Sequence, residues 1–182
     1  RGVAIQAAAE GAKVVMADRA EYVSTTLDEI LSAGGTGVTI LADLESYAGA
    51  QSVIQKALDT YGRIDVLINN VGGAIWMKPF TEFTEEEIVK EINRSLFPTL
   101  WSCHAVLPHM QQQKAGVIVN VSSIATLGIN RLPYSAAKGG VNSFTKSMAF
   151  AHAQDGIRVN AVATGGTDAP PRVIPRNSTP LS

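Results

Sequence analysis

Short β-branched runs alternate along this chain with longer helix-forming stretches. That alternation restricts it to βαβ units, an α/β domain with a doubly wound parallel sheet covered on both faces. The predicted strands are Lys13–Asp18, Gly37–Leu41, Ile64–Asn69, Val117–Ser122 and Ile157–Val162. Between them, Ala20–Ala33, Ser46–Tyr61, Thr84–Gln113 and Tyr134–Gln154 carry apolar residues three and four apart and read as helices. Pro98 and Pro108 break up the longest stretch, which predicts two helices meeting near Arg94–Phe97. Gly11, Gly34, Gly62, Gly116 and Gly156 fall between a helix and a strand, where a left-handed cap favours a residue without Cβ. The chain opens inside a predicted helix, Val3–Glu10, and closes in a Pro-rich stretch, Ala169–Ser182. The first strand of such a sheet, its phosphate-holding glycine turn and its C-terminal elements are therefore expected to be missing.

At 182 residues the chain is long enough for one domain with a sizeable core. Its 15 basic and 16 acidic residues leave a formal charge of -1, which provides no electrostatic footprint for a nucleic acid or an anionic membrane. A single cysteine, Cys103, and the absence of zinc-type spacing predict a reduced, cytoplasmic protein without a metal. No apolar run reaches membrane-spanning length, so neither nucleic acid nor membrane is an expected partner.

Tyr134 and Lys138 lie four apart on one helix face, and Ser122 and Ser123 end the preceding strand. A free tyrosine is a feeble base at neutral pH, but an ammonium one turn away favours its phenolate and a serine hydroxyl can hold the substrate oxygen. Taken alone, that spacing is common on ordinary helix surfaces. Asp18 closes the first strand, where a carboxylate can meet an adenosine ribose or cap the following helix. Asp43 offers the same pair of readings, an adenine edge or a cap. Asn69-Asn70-Val71-Gly72 ends the third strand, where a ligand crevice or an Asn-Gly turn belongs. Gly34-Gly35-Thr36-Gly37 follows a helix rather than a strand and reads as a turn. His104, His109 and His152 have no ligand spacing and receive no role.

Together Asp18, Asp43, Asn69-Asn70-Val71-Gly72, Val119-Asn120-Val121-Ser122-Ser123, Tyr134-Ser135-Ala136-Ala137-Lys138 and Arg158-Val159-Asn160 resemble the ordered motifs of the short-chain dehydrogenase/reductase family. More narrowly, Asn69–Gly73 with Ile75-Trp76, Arg94–Trp101 and Gly165–Arg172 resemble its members that oxidise a carboxylated cis-dihydrodiol. The resemblance implies a Rossmann-type fold, NAD as acceptor, a catechol product with loss of carbon dioxide, and a homodimer or homotetramer. It makes Ser123, Tyr134 and Lys138 catalytic, with Ser95 at the position of the family's catalytic asparagine and Asn93 two residues earlier. It assigns the cofactor to Asp18, Arg19, Asp43, Leu44, Asn70, Val71, Gly72, Tyr134, Lys138, Gly165 and Thr167, with Thr164-Gly165 where the family usually has Pro-Gly. A substrate carboxylate calls for an arginine, and Arg176, then Arg131, are favoured over Arg172. A reductase of a 3-oxoacyl or other carbonyl substrate would use the same machinery. A non-catalytic scaffold is the reading from another class.

Overall fold

The computed structural model describes residues 1–166 and the backbone of 177–178. The elements run α1 (Gly2–Ala9), β1 (Lys13–Asp18), α2 (Val23–Ser32), β2 (Thr36–Leu41), α3 (Tyr47–Tyr61), β3 (Val66–Asn69) and β4 (Trp76–Met77). After them come α4 (Glu85–Ser95), α5 (Phe97–Gln113), β5 (Gly116–Ser123), α6 (Leu132–His152), β6 (Ile157–Thr164) and β7 (Asn177–Ser178). Every pairing is parallel: β1 with β2, β5 between β3 and β6, and the short β4 with β7. β1–β2 and β3–β5–β6 form separate ladders, joined through the core rather than by hydrogen bonds. Val15 of β1 packs against the cluster of Ile54, Val106, Met110, Ile118 and Ile157, drawn from α3, α5, β5 and β6.

The expected break in the long helical stretch falls at Leu96, between α4 and α5, and Pro98 occupies the first turn of α5, where a missing N–H costs nothing. Three local expectations are corrected. β3 starts at Val66 rather than Ile64, because the Gln113 side chain takes both backbone groups of Ile64 out of the ladder, accepting from its N at 3.1 Å and donating to its O at 2.9 Å. α2 starts at Val23 rather than Ala20, since Asp18 Oδ1 accepts from Ala20 N at 3.0 Å and draws the chain into a turn first. Gly116 is not a left-handed cap. Lys114 takes that conformation at φ 52°, while Gly116 opens β5 at a point where a Cβ would run into the Met110 side chain.

A chain of buried polar side chains ties the sheet to α6. Asn69 Nδ2 donates to Asn120 Oδ1 at 2.9 Å, Asn120 Nδ2 donates to Thr145 Oγ1 at 2.9 Å, and Thr145 Oγ1 donates to Val141 O at 2.7 Å. Every link is sealed from water, so cutting one strands its neighbours without a replacement partner. Asn120→Ala is expected to lower unfolding stability by about 2–3 kcal/mol in urea denaturation, with an unchanged denaturant slope; a loss below about 0.5 kcal/mol would show the chain to be dispensable.

Candidate active site

The carboxyl ends of the parallel strands carry the motif residues. β1 ends at Asp18, β3 at Asn69 and β5 at Ser123, and β6 runs out to Gly165 and Gly166, both exposed. The two ladders present these ends to the same side. Glu45, just past β2, lies 3.9 Å from the guanidinium of Arg94, and Arg94 adjoins Ser95, which holds the turn that follows β3.

Lys138 sits at the centre of this edge. Its stem enters between α6 and β5 and its ammonium donates to Val121 O at 2.7 Å, leaving the residue 3% exposed. Burial pushes its pKa down to about 8, because desolvation disfavours the charged form. Gly72, at φ 144°, closes over it, and a methyl group there would stand 3.2 Å from Nζ and 3.4 Å from Ser95 Cα. Only glycine combines that conformation with that clearance. Tyr134 lies one turn earlier on α6, partly buried.

The two serines divide their tasks. Ser122 Oγ, buried, points at Lys138 O at 3.4 Å and belongs to the packing between β5 and α6. Ser123 Oγ accepts from Ala125 N at 3.0 Å, which fixes the oxygen and leaves its own proton free to donate. Beyond it, Ile124, Leu127 and Ile129 are largely exposed, an apolar border to the site. Arg131 precedes α6, with its stem packed beside Gly128; among the described residues its buried Nε makes no hydrogen bond. Thr167, Arg172 and Arg176 lie outside the described residues.

The opposite wall is hung from α4 by three side chains spaced four apart. Ser95 Oγ accepts from Gly73 N at 3.2 Å; Glu91 Oε1 accepts from Ile75 N at 2.6 Å and Trp76 N at 2.9 Å; Glu87 pairs with Lys78 Nζ at 2.7 Å. Spacing of four places all three on one helix face, and segment 73–78 descends that face rung by rung. Lys78 holds the Glu87 carboxyl below its ordinary pKa. Glu87 also accepts from Thr84 N at 2.9 Å in a capping box that fixes the start of the helix. Glu91, wholly buried, was missed in the sequence, where it reads as one more acid after Glu85-Glu86-Glu87; its four-residue interval to Glu87 and Ser95 was the available signal. Ser95 is equally buried and committed to Gly73 N, while Asn93 is only partly buried.

At the first ladder, both oxygens of Asp18 are engaged, Oδ1 by Ala20 N and Oδ2 by the Tyr22 hydroxyl at 2.9 Å. The contact raises the Tyr22 pKa. Asp18 is not the cap of α2, and Asp43 is not the cap of α3. Ser46 caps α3, accepting from Gly49 N at 3.1 Å, while Asp43 Oδ1 accepts from Glu45 N at 3.0 Å and shapes the turn. Arg19 is largely exposed, Leu44 partly buried, Asn70 exposed and Val71 partly buried. His104 contacts Tyr47 Oη at 3.1 Å and His152 pairs with Asp155 at 2.9 Å, both away from these residues.

Parallel strands end at Ser123, α6 packs on them carrying Tyr134 and Lys138, and residues 1–178 match the short chain dehydrogenase family, to which the chain belongs. It is 63% identical, over all 182 residues and 70% of the relative's length, to the 1,6-dihydroxycyclohexa-2,4-diene-1-carboxylate dehydrogenase of Acinetobacter baylyi. It is 54% identical over 169 residues, 93% of this chain, to the protein of that name in Pseudomonas putida, and spans 62% of that relative. The crystal structure of levodione reductase superposes with a TM-score of 0.86 at 31% identity, covering 89% of this chain and 65% of the other. Among the described residues no helix is long and apolar enough to cross a membrane.

The buried ammonium yields a test of the site's cost. Lowering a lysine pKa from 10.5 to about 8 means that its charged form costs the folded state about 3 kcal/mol at neutral pH. Between those two values the unfolded chain binds a proton that the folded one does not, so stability rises with pH across that window. Lys138→Met is therefore expected to melt higher than the parent at pH 7, by about 1–3 kcal/mol, with the advantage shrinking from pH 8 to 10. Calorimetry at the two pH values checks it; a variant less stable at pH 7 would contradict the assigned cost.

Proposed function

We propose that the protein oxidises a carboxylated cis-dihydrodiol, 1,6-dihydroxycyclohexa-2,4-diene-1-carboxylate, to catechol with release of carbon dioxide, a step in benzoate breakdown, using NAD. The observation that carries this reading is the 63% identity along the whole chain to a dehydrogenase named for that substrate. The serine, tyrosine and lysine disposition supports the chemistry. The carboxyl edge suits a dinucleotide: Gly72 leaves room beside Lys138, the Asp18 carboxylate is fixed at the end of β1, and Asn70 is open to solvent. Asp18, Asn70, Val71, Gly72, Lys138, Gly165 and Thr167 would hold it, with Leu44 and the Asp43 turn beside them. A nicotinamide dinucleotide bound there would supply the hydride acceptor for the carbon that bears the reacting hydroxyl.

The protein's part is proton transfer and positioning. Tyr134, one turn before Lys138 on α6, takes the hydroxyl proton, and Ser123 donates to the same oxygen. Ser95 acts through Gly73, setting the turn above Lys138 instead of touching substrate. The resulting ketone lies β to the carboxylate, so carbon dioxide leaves as the ring becomes aromatic and no decarboxylating side chain is needed. Arg131, with a buried donor still unused among the described residues, is the favoured grip on the substrate carboxylate, and Arg176, outside the described residues, is the other candidate, from sequence alone. The protein works as a dimer or tetramer through α5 and α6, whose exposed Phe150 supports such an interface.

Tyr134→Phe is expected to abolish NADH formation in a single turnover while leaving NAD binding within about threefold of the parent. Full-rate hydride transfer by that variant would give the proton to another base. Arg131→Ala should lower kcat/KM for the diol acid by about 10²-fold and leave a dihydrodiol without the carboxylate within about threefold. Equal losses on both substrates would remove Arg131 from substrate recognition.

A further inference from the structure

The end of β1 carries opposite charges side by side. Asp18 suits a ribose hydroxyl, whereas Arg19 would attract a ribose 2′-phosphate, so the two residues call for different dinucleotides. Asp18 is immobilised through both oxygens, by Ala20 N and Tyr22. Arg19 makes no such commitment. Its side chain is half exposed, and its Nη1 stands 3.6 Å from Glu45 Oε1, an ion-pair distance too long for a hydrogen bond. The same oxygen faces Arg94 Nη1 at 3.9 Å.

The backbone at Glu45, by contrast, is well anchored. Its N donates to Asp43 Oδ1 at 3.0 Å, Ser46 Oγ donates to Asp43 O at 3.0 Å, and Ala42 N donates to Asp18 O at 3.0 Å. The turn also packs so closely on Gly49 that a Cβ there would strike Asp43 O. A carboxylate carried on a fixed turn thus faces a half-exposed guanidinium at the corner where adenosine would lie. We propose that Glu45 sets the dinucleotide preference of this enzyme by neutralising Arg19, so that Asp18 alone decides and the phosphorylated dinucleotide is refused. The proposal rests on the reading of this edge as a nicotinamide dinucleotide site.

With Glu45 present, this corner holds Asp18, Asp43 and Glu45 against Arg19 and Arg94. Without it the signs balance and Arg19 is free to meet a phosphate. An interaction of one unit charge near the surface is worth roughly a five- to tenfold change in binding, more for a doubly charged phosphate, and salt screens it.

The test measures dissociation constants of NADH and NADPH by nicotinamide fluorescence in the full-length protein, for the parent, Glu45→Gln, Arg19→Gln and the double variant. Glu45→Gln is expected to lower the NADPH-to-NADH ratio of dissociation constants by about 5- to 20-fold in 0.05 M salt and by less than half as much in 0.5 M salt. Arg19→Gln alone is expected to stay within about threefold of the parent ratio, and adding Glu45→Gln to it to change the ratio by less than twofold. An unmoved ratio in Glu45→Gln overturns the proposal, as does an undiminished change in the Arg19→Gln background, which would mean direct repulsion without the arginine. If the parent binds NADH and only the ratio fails to move, the proposal alone falls; if the parent binds neither dinucleotide, the site reading falls with it.

Discussion

A lysine ammonium taken out of water and given a backbone carbonyl as partner is the constraint around which this site is organised. Val121 O anchors Lys138 from the sheet, and the enclosing walls come from α6, from Gly72 and from α4 through Ser95. The arrangement is costly in folding terms, since charged amines prefer solvent, and the surrounding structure must be rigid enough to hold it. The buried polar chain from Asn69 through Asn120 to Thr145 serves that need directly, because it fastens β3 and β5 to the helix that carries both Tyr134 and Lys138. Stability is thus supplied a few residues away from where it is given up.

The same division holds on the facing wall. A loop leaving a strand end ordinarily has backbone donors without partners. Here the donors of Gly73, Ile75 and Trp76 are met by side chains of one helix, so the turn beside Lys138 has a definite shape although it makes few ladder hydrogen bonds. Thr84 and Glu87 fix the start of that helix, and Lys78 closes the last rung. Shape at the active site is therefore inherited from a capping box some distance away.

The order of strands and helices was legible because burial on both faces of a parallel sheet demands apolar strands, while helices declare a different period. The break between α4 and α5 followed from Pro98, and the Tyr134–Lys138 face from simple helical geometry. What escaped was side chain to backbone bonding. Gln113 displaced the start of β3, Asp18 delayed α2, and Ser46 rather than Asp43 capped α3, each a choice among chemically equivalent polar residues that only the folded chain makes. Glu91 escaped for a related reason, since it follows a run of acids and only its four-residue interval to Glu87 and Ser95 sets it apart. Lys114 took a conformation expected of Gly116 because Met110 claimed the glycine's empty side for packing.

The three-rung suspension of segment 73–78 has a consequence for how such a protein diversifies. Substitution of Ser95, Glu91, Glu87 or Lys78 removes a rung, and substitution of Gly72 removes the clearance over Lys138, so these positions tolerate little drift. Across the cleft, Ile124, Leu127 and Ile129 spend most of their surface in solvent. New substrate preferences in descendants of this chain, or in a laboratory library, would accordingly arise on the 124–131 side, with the chemistry left intact on the other.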